Sequence, residues 1–304
     1  MIARPVTAGS GAPSGSRVSP TRGPGRHGPA PARCRLSVVI PAFREPRIGD
    51  TVRQLTATLE SVASDGGLEV VVVDDGSGDD TARRAREAGA HRVVVLPTNR
   101  GKGAAVRAGM LAATGRTIAF TDADLAYSPD QLLGLLARIE GGWDVVVGSR
   151  RHPATRTDLE PSLVRRVGHR LIHACTATVL AGDHADTQCG LKAFRADAAR
   201  ALFSRCRIDG FAFDVEVFHL IEQLELSVLE VPVRVENSAT STVRVDRDAL
   251  VLLRDLARIR RGARAGVYAG VVPDSRWRAE YTGRSMNVST PGSASTTRGM
   301  ALTT

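Results

Sequence analysis

The sequence predicts an α/β fold built on a mostly parallel sheet covered by helices on both faces. Three observations carry that prediction. Short β-branched runs alternate with stretches of helical periodicity. The runs are near-continuously apolar, as strands buried on both faces must be. Four of the runs end in polar residues, at the carboxyl ends where such sheets bind their ligands.

Taken in order, "LSVVI" (36–40) is a strand followed by a helix near 50–63, and "LEVVVV" (68–73) is a strand followed by one near 79–89. "RVVVL" (92–96) leads to a helix near 102–114, and "TIAF" (117–120) ends at a pair of aspartates. "SPDQLLGLLARI" (128–139) opens like a helix, with Ser128 as N-cap, Pro129 in the first turn and Gln131 closing a capping box. "WDVVVG" (143–148) is the next strand. Further helices are predicted over 161–181, over 207–224 after Gly210, and at the end of 236–262.

At 304 residues the chain has ample core for one large domain or two small ones. Composition divides it into a disordered Arg/Pro/Gly/Ser-rich tail over 1–34, a folded domain over 35–264 and a second disordered tail over 265–304. No apolar run approaches the roughly 18–20 residues of a membrane span, and the N-terminus lacks the apolar stretch of a secretory signal. The 4 cysteines show no CxxC or framework spacing, which fits a reduced, cytosolic compartment. The net charge of +9 sits mostly in the tails: residues 1–35 hold six Arg and no acid, 271–304 four Arg and two acids, leaving about +1 for the body. With only 3 Tyr and 7 Phe for stacking, a nucleic-acid binder is disfavoured.

The strand ends carry the chemistry. In "TDADL" (121–125), Asp122 and Asp124 are spaced i, i+2, which at a strand end sends both carboxylates to one side. Two adjacent anions call for a cation, and Mg²⁺ or Mn²⁺ suits carboxylate oxygens combined with a ligand's phosphates. "DDGSGDDT" (74–81) puts Asp74 and Asp75 at a second strand end, followed by a capping box from Ser77 to Asp80. Asp75 is placed to accept hydrogen bonds from a ribose or base. The absence of a GxGxxG motif argues against a nicotinamide cofactor. "NRGKGAAVRAGM" (99–110) opens a helix and carries Lys102 but is no Walker A loop. Its amides and Lys102 either hold a pyrophosphate or form a plain tight turn. "GSRR" offers Arg150 and Arg151 to an anionic ligand. The predicted 161–181 helix groups Arg165, His169 and His173 on one face, a phosphate site or a solvated basic face. Asp214 is either a helix cap or faces a ligand. Gln188 in "DTQCG" is a candidate ligand contact, and Cys189 a small buried residue. In the last helix, Leu252, Leu256 and Ile259 lie opposite Arg247, Arg254, Arg258 and Arg261. That pattern reads equally as core packing or as a basic helix on an anionic membrane.

"VVIPAFRE", "VVVDDGSGDDT", "NRGKGAAVRAGM", "DADL", "GSRR" and "DTQCGLKAF" occur here in an order that resembles inverting family 2 glycosyltransferases of the GT-A fold. The resemblance covers about 36–260 and is strongest toward the branch of dolichyl-phosphate glucosyltransferases and dolichol-phosphate mannose synthases. It implies that Pro41, Phe43 and Glu45, with Asp75, line a nucleotide pocket alongside Asp74 and Lys102. It implies that Asp122 and Asp124 hold the metal, and that Arg165 binds the acceptor phosphate. His169 stands where many relatives have Ser, and Ala126 where the mannose synthase branch has a metal-binding Gln. The implied catalytic set is Asp122, Asp124, Gln188 and Asp214, with Arg150, Arg165 and His169 on the acceptor phosphate. The implied reaction moves glucose from UDP-glucose to a polyprenyl phosphate at the membrane surface. GDP-mannose as donor, or a soluble acceptor, is the alternative. A nucleotidyltransferase would carry a Gly-rich basic loop after its first strand, which "PAFRE" is not. The expected location is cytoplasmic, peripheral at the inner face of the membrane, reached by the basic helix or through a partner membrane protein.

Overall fold

The computed structural model describes residues 33–157, 180, 184, 186–235 and 245–268. Its first half is a run of strand–helix units: β1 (Cys34–Ala42), α1 (Ile48–Thr58) and α2 (Glu60–Ser64), β2 (Leu68–Asp74), α3 (Thr81–Glu87), β3 (Arg92–Val95), α4 (Lys102–Ala112) and β4 (Gly115–Phe120). These four strands pair in parallel in the order β3-β2-β1-β4. Alternation of side chains splits them between two cores. Val39, Val73 and Phe120 join Val106 and Met110 of α4 on one face. Val38, Ile40 and Val72 join Val52 and Leu55 of α1 on the other.

The second half is less regular. α5 (Gln131–Glu140) precedes β5 (Val145–Ser149) and the short β6 (Arg156–Thr157). Then follow β7 (Lys192–Arg195), α6 (Ala196–Phe203), α7 (Phe213–Gln223), β8 (Val228–Pro232), β9 (Arg234–Val235) and α8 (Val245–Arg264). The main sheet runs β3-β2-β1-β4-β7-β5-β8, and β6 and β9 form a separate two-stranded sheet. β7 is inserted antiparallel between β4 and β5. The alternating strand–helix pattern therefore predicts the parallel half correctly and misses this insertion. The reason is in the residues: "KAFR" is four residues long and half of it is charged. Lys192 and Arg195 are nonetheless buried, because each meets a buried carboxylate, Lys192 with Asp214 at 2.7 Å and Arg195 with Asp144.

Both predicted capping boxes are absent. α5 starts at Gln131, whose side chain donates to the Arg234 carbonyl at 3.0 Å and accepts from the Arg234 amide at 2.7 Å. Gln131 thus pairs with β9 like a neighbouring strand. Before α3, Ser77 Oγ accepts from the Arg44 amide at 2.8 Å instead of capping the helix. At the C-terminal side, the described residues run to 268, and Tyr268 is buried in the α4-side core. The predicted 161–181 helix, with Arg165 and His169, lies outside the described residues.

Candidate active site

Three loops at the carboxyl ends of β1, β2 and β3 are stitched together. The "PAFRE" loop after β1 is held to the loop after β2 by Ser77, and by Thr81 Oγ1, which accepts from the Glu45 amide at 3.1 Å. Phe43 stays 45% exposed beside this junction, with the Arg44 guanidinium 5.2 Å from its ring centre. Pro41 lies in β1 opposite Val73, and Glu45 Oε1 accepts from the Arg47 amide. Asp74 Oδ1 accepts from the Ser77 amide at 3.0 Å.

Asp75 is buried, and its two oxygens take the amides of Arg100 (2.9 Å) and Gly101 (2.8 Å). Asp75, expected to accept from a ribose or base, already holds two amides of the glycine-rich loop. The same bonds revise the idea of that loop as a phosphate cradle. Asp75 is the anion its amides hold, and the Ala104 amide goes to the Asp209 carbonyl at 3.1 Å. What the loop delivers is Lys102. Gly101 has φ +109, and a Cβ on it would stand 2.7 Å from the Asp209 oxygen, so the chain enters α4 on a turn only glycine makes without strain.

Lys102 Nζ reaches Asp122 Oδ1 at 2.5 Å. Desolvation works against the Lys102 ammonium, but the carboxylates of Asp122, Asp214 and Asp124 outweigh it and raise the pKa above that of an ordinary lysine. Asp122 Oδ2 packs on Gly190, where a Cβ would lie 2.0 Å from the oxygen. Gly190 therefore has no side chain because Asp122 occupies its place.

The period-two argument for the aspartate pair does not hold. β4 ends at Phe120, and 122–125 is a turn, with the Leu125 amide on the Asp122 carbonyl and Leu125 at φ 47. Thr51 of α1 anchors the turn by donating to the Ala123 carbonyl at 2.7 Å. Asp122 faces inward to Lys102, whereas Asp124 is exposed and accepts from the Ala126 amide at 3.1 Å. Asp124 still feels its neighbour: desolvation against the cleft wall, then repulsion from Asp122, raises its carboxyl pKa.

Beneath Asp122, Lys192 is 0% exposed, donates to the Cys189 carbonyl at 2.6 Å and to Asp214 at 2.7 Å, and lies 5.2 Å from the Phe120 ring centre. Burial raises the Asp214 pKa, and Lys192 and Lys102 oppose it. Asp214 is thus neither an N-cap, since α7 shows no side-chain cap, nor open to a ligand at the surface. Arg150 is pinned too. Its Nε and Nη2 take both oxygens of Asp186 at 2.7 and 2.8 Å, so its fork toward an acceptor phosphate is already engaged. Gln188 follows in a turn in which its amide donates to Asp186 Oδ1 at 3.1 Å, leaving its side chain half-buried. Cys189 is fully buried, as expected.

A divalent cation is compatible with this donor set only as a shared site. Asp122 and Asp124 supply hard carboxylate oxygens, and no cluster of three His, Cys, Asp or Glu able to hold a metal exists among the described residues. Two carboxylates suit an ion that takes its other ligands from phosphates and water. Sequence reasoning missed Gly190, Lys192 and Asp186. All three lie in or beside "DTQCGLK", whose unusual mixture of charge and glycine was the available signal.

A parallel half-sheet with an aspartate turn after its fourth strand, a lysine opposite it and an antiparallel strand behind it defines a GT-A nucleotide-sugar transferase fold. The fold is shared with glucosyl-3-phosphoglycerate synthase from Mycobacterium tuberculosis, solved with Mn²⁺, UDP and glucosyl-3-phosphoglycerate: TM-score 0.56, 23% identity, 80% of this chain and 82% of that one. Residues 37–203 match Glycosyl transferase family 2, and the chain belongs to that family of glycosyltransferases. Among curated relatives, it is 37% identical over 215 residues to the dolichyl-phosphate beta-glucosyltransferase of Drosophila melanogaster, covering 66% of each chain. A dolichyl-phosphate beta-glucosyltransferase of Trichomonas vaginalis is 34% identical over 259 residues, 79% of this chain and 74% of the relative. The human enzyme of that name is 30% identical over 66% of each chain. The match thus spans about two thirds to three quarters of these relatives' length.

Proposed function

We propose that the protein transfers glucose from UDP-glucose to a polyprenyl phosphate of the dolichyl type, with inversion at the anomeric carbon. The observation that carries this reading is the agreement of the curated relatives on the name dolichyl-phosphate beta-glucosyltransferase, in a chain whose family match over residues 37–203 contains the Asp122–Lys102 centre. An oxygen of the acceptor phosphate attacks the sugar C1 while the C1–oxygen bond to UDP breaks, and UDP leaves with the electron pair. The acceptor phosphate is already anionic at neutral pH, so the site needs position and charge rather than a strong base.

Each residue then has a task. Asp75 shapes the glycine-rich loop so that α4 begins at Lys102. Lys102, kept charged by Asp122, Asp214 and Asp124, meets the negative charge that grows on the departing diphosphate. Gly190 lets Asp122 stand where it does, and the Lys192–Asp214 pair supports it from below. Asp122 and Asp124 would hold a Mg²⁺ or Mn²⁺ ion, which when bound supplies Lewis-acid stabilisation of the diphosphate. Phe43, Pro41 and Glu45 border the nucleotide side, and Gln188 the sugar side. Arg150 sets the position of the 186–190 turn through Asp186. Contact with the acceptor phosphate falls to Arg165, which matches the family pattern, and to His169, which stands where many relatives have Ser. No helix among the described residues is long and apolar enough to cross a membrane. Peripheral approach to the inner leaflet, through the arginine face of α8, is the route proposed to the lipid.

The test is nucleotide release from UDP-glucose and GDP-mannose, each with polyprenyl phosphate, with phosphoglycerate or with neither. UDP release that requires both UDP-glucose and the polyprenyl phosphate is expected. Release driven by phosphoglycerate would transfer the protein to the soluble-acceptor class, and GDP release would change the donor.

A further inference from the structure

On α8, Arg254, Arg258 and Arg261 are spaced i, i+4 and i+7 and so follow one face. Opposite them runs the segment before α7. Between the two lies an open cavity of about 630 Å³ lined by Arg207, Arg254, Arg258, Arg261 and Tyr268 among others. Its walls are held by one buried carboxylate. α8 ends in a turn whose Val267 amide donates to the Gly262 carbonyl at 3.0 Å, which swings Tyr268 back beneath the helix. The Tyr268 hydroxyl donates to Glu216 Oε1 at 2.8 Å, and Glu216 also accepts from the amides of Arg207 and Ile208, both at 2.8 Å.

Glu216 therefore bonds to two amides and a phenol, not to a guanidinium. Among the described residues, the only carboxylate within ion-pair distance of the four cavity arginines is Asp255, 3.6 Å from Arg258. Four guanidinium groups around one concavity repel each other as the aspartate pair does, with the sign reversed. Their planar forks match phosphate oxygens two at a time. The volume is in the range of small-molecule clefts and well beyond a bare phosphate. The exposed Val267 and the Ile208 on the lining offer apolar edges to an organic portion.

We propose that this cavity binds a phosphate-bearing ligand, a phosphomonoester or phosphodiester, at a site separate from the Asp122–Lys102 centre. The far side of its 207–209 wall packs on the glycine-rich loop, where Cβ atoms on Gly101 and Gly103 would come within 2.7 Å of the Asp209 and 2.6 Å of the Ile208 carbonyl. The phosphate is either free or the headgroup of an anionic phospholipid, and two arms separate these sources. Calorimetric titration of the full chain with glycerol 3-phosphate reads the free form. Co-sedimentation with phosphatidylglycerol against phosphatidylcholine vesicles reads the headgroup. Each arm is repeated with Arg254→Ser/Arg258→Ser, and with Arg261→Ser alone should the double variant not fold.

Saturable binding in at least one arm, weakened tenfold or more by the substitutions, is the expected result. A response in the first arm assigns a soluble ligand, and a response in the second alone assigns the headgroup. Binding in neither arm, or binding that the substitutions leave unchanged, overturns the proposal. The test needs no turnover and so stands apart from the choice of donor and acceptor.

Discussion

Replacing Gly190 with Ala asks one methyl group to share space with the Asp122 carboxylate. The added Cβ would lie 2.0 Å from Oδ2, 2.6 Å from Cγ and 2.9 Å from Oδ1, so no small rotation of the carboxylate relieves all three contacts. To reach an ordinary 3.4 Å separation, Oδ2 must retreat by about 1.4 Å. That movement carries Oδ1 off Lys102, with which it is in contact at 2.5 Å. Overpacking of this kind costs about 1–3 kcal/mol of stability, or roughly 2–12 °C in Tm for a domain of this size. Catalysis should suffer more, since misplacing a catalytic group by about 1 Å costs about a hundredfold. The control is Gly134→Ala, within α5, where the new Cβ meets only the far end of the Arg138 side chain at 3.4 Å. That change should leave turnover intact and add up to about 1 kcal/mol of stability. Both variants are followed by UDP release and by thermal unfolding. A Gly190→Ala protein with parental turnover would refute the claim that Asp122 is held in place by the missing side chain.

Three further outcomes are expected. Asp122→Asn should lower kcat at least a hundredfold with Tm little changed, and EDTA should silence the parent; full turnover in EDTA removes the metal from the reading. Lys192→Met leaves Asp214 buried without its nearest cation and should cost about 3–5 kcal/mol in urea unfolding, part of which Asp214→Asn in the same chain recovers; a loss below about 1 kcal/mol would show the pair to be dispensable. Burial pushes the Asp186 carboxyl up, but the Arg150 fork pulls it further down, so its folded pKa lies below the unfolded 3.8. Its stabilisation is therefore complete above pH 3.8 and lost as pH falls through the folded value. Asp186→Asn should flatten the acid limb of the stability–pH curve below that point while lowering stability at pH 7; an unchanged acid limb contradicts the assignment.

Residue pattern alone determined the parallel half of this protein. Strands β1 to β4 are apolar runs long enough to show themselves, and the local rule that helices cover both faces leaves little choice of sheet. Asp122 and Lys102 were legible for the same reason: each sits at an element boundary, where a charged residue interrupts an otherwise clear pattern. What the pattern could not show was which distant groups neutralise which. Lys192 and Arg195 make β7 look like a loop until Asp214 and Asp144 arrive from elsewhere in the chain, and only then can a half-charged strand enter the middle of a sheet. Asp75 reads as a strand-end carboxylate, and nothing in the pattern shows that the loop 25 residues later wraps its amides around it. The spacing of Asp122 and Asp124 suggests two carboxylates side by side, but the turn after β4 sends one inward and one to solvent. Gly190 has no meaning in one dimension, because its reason is an oxygen atom 68 positions away in sequence. Hydrophobic burial is a local periodic signal along the chain, whereas the pairing of buried charges depends on partners that only the folded chain brings within about 3 Å.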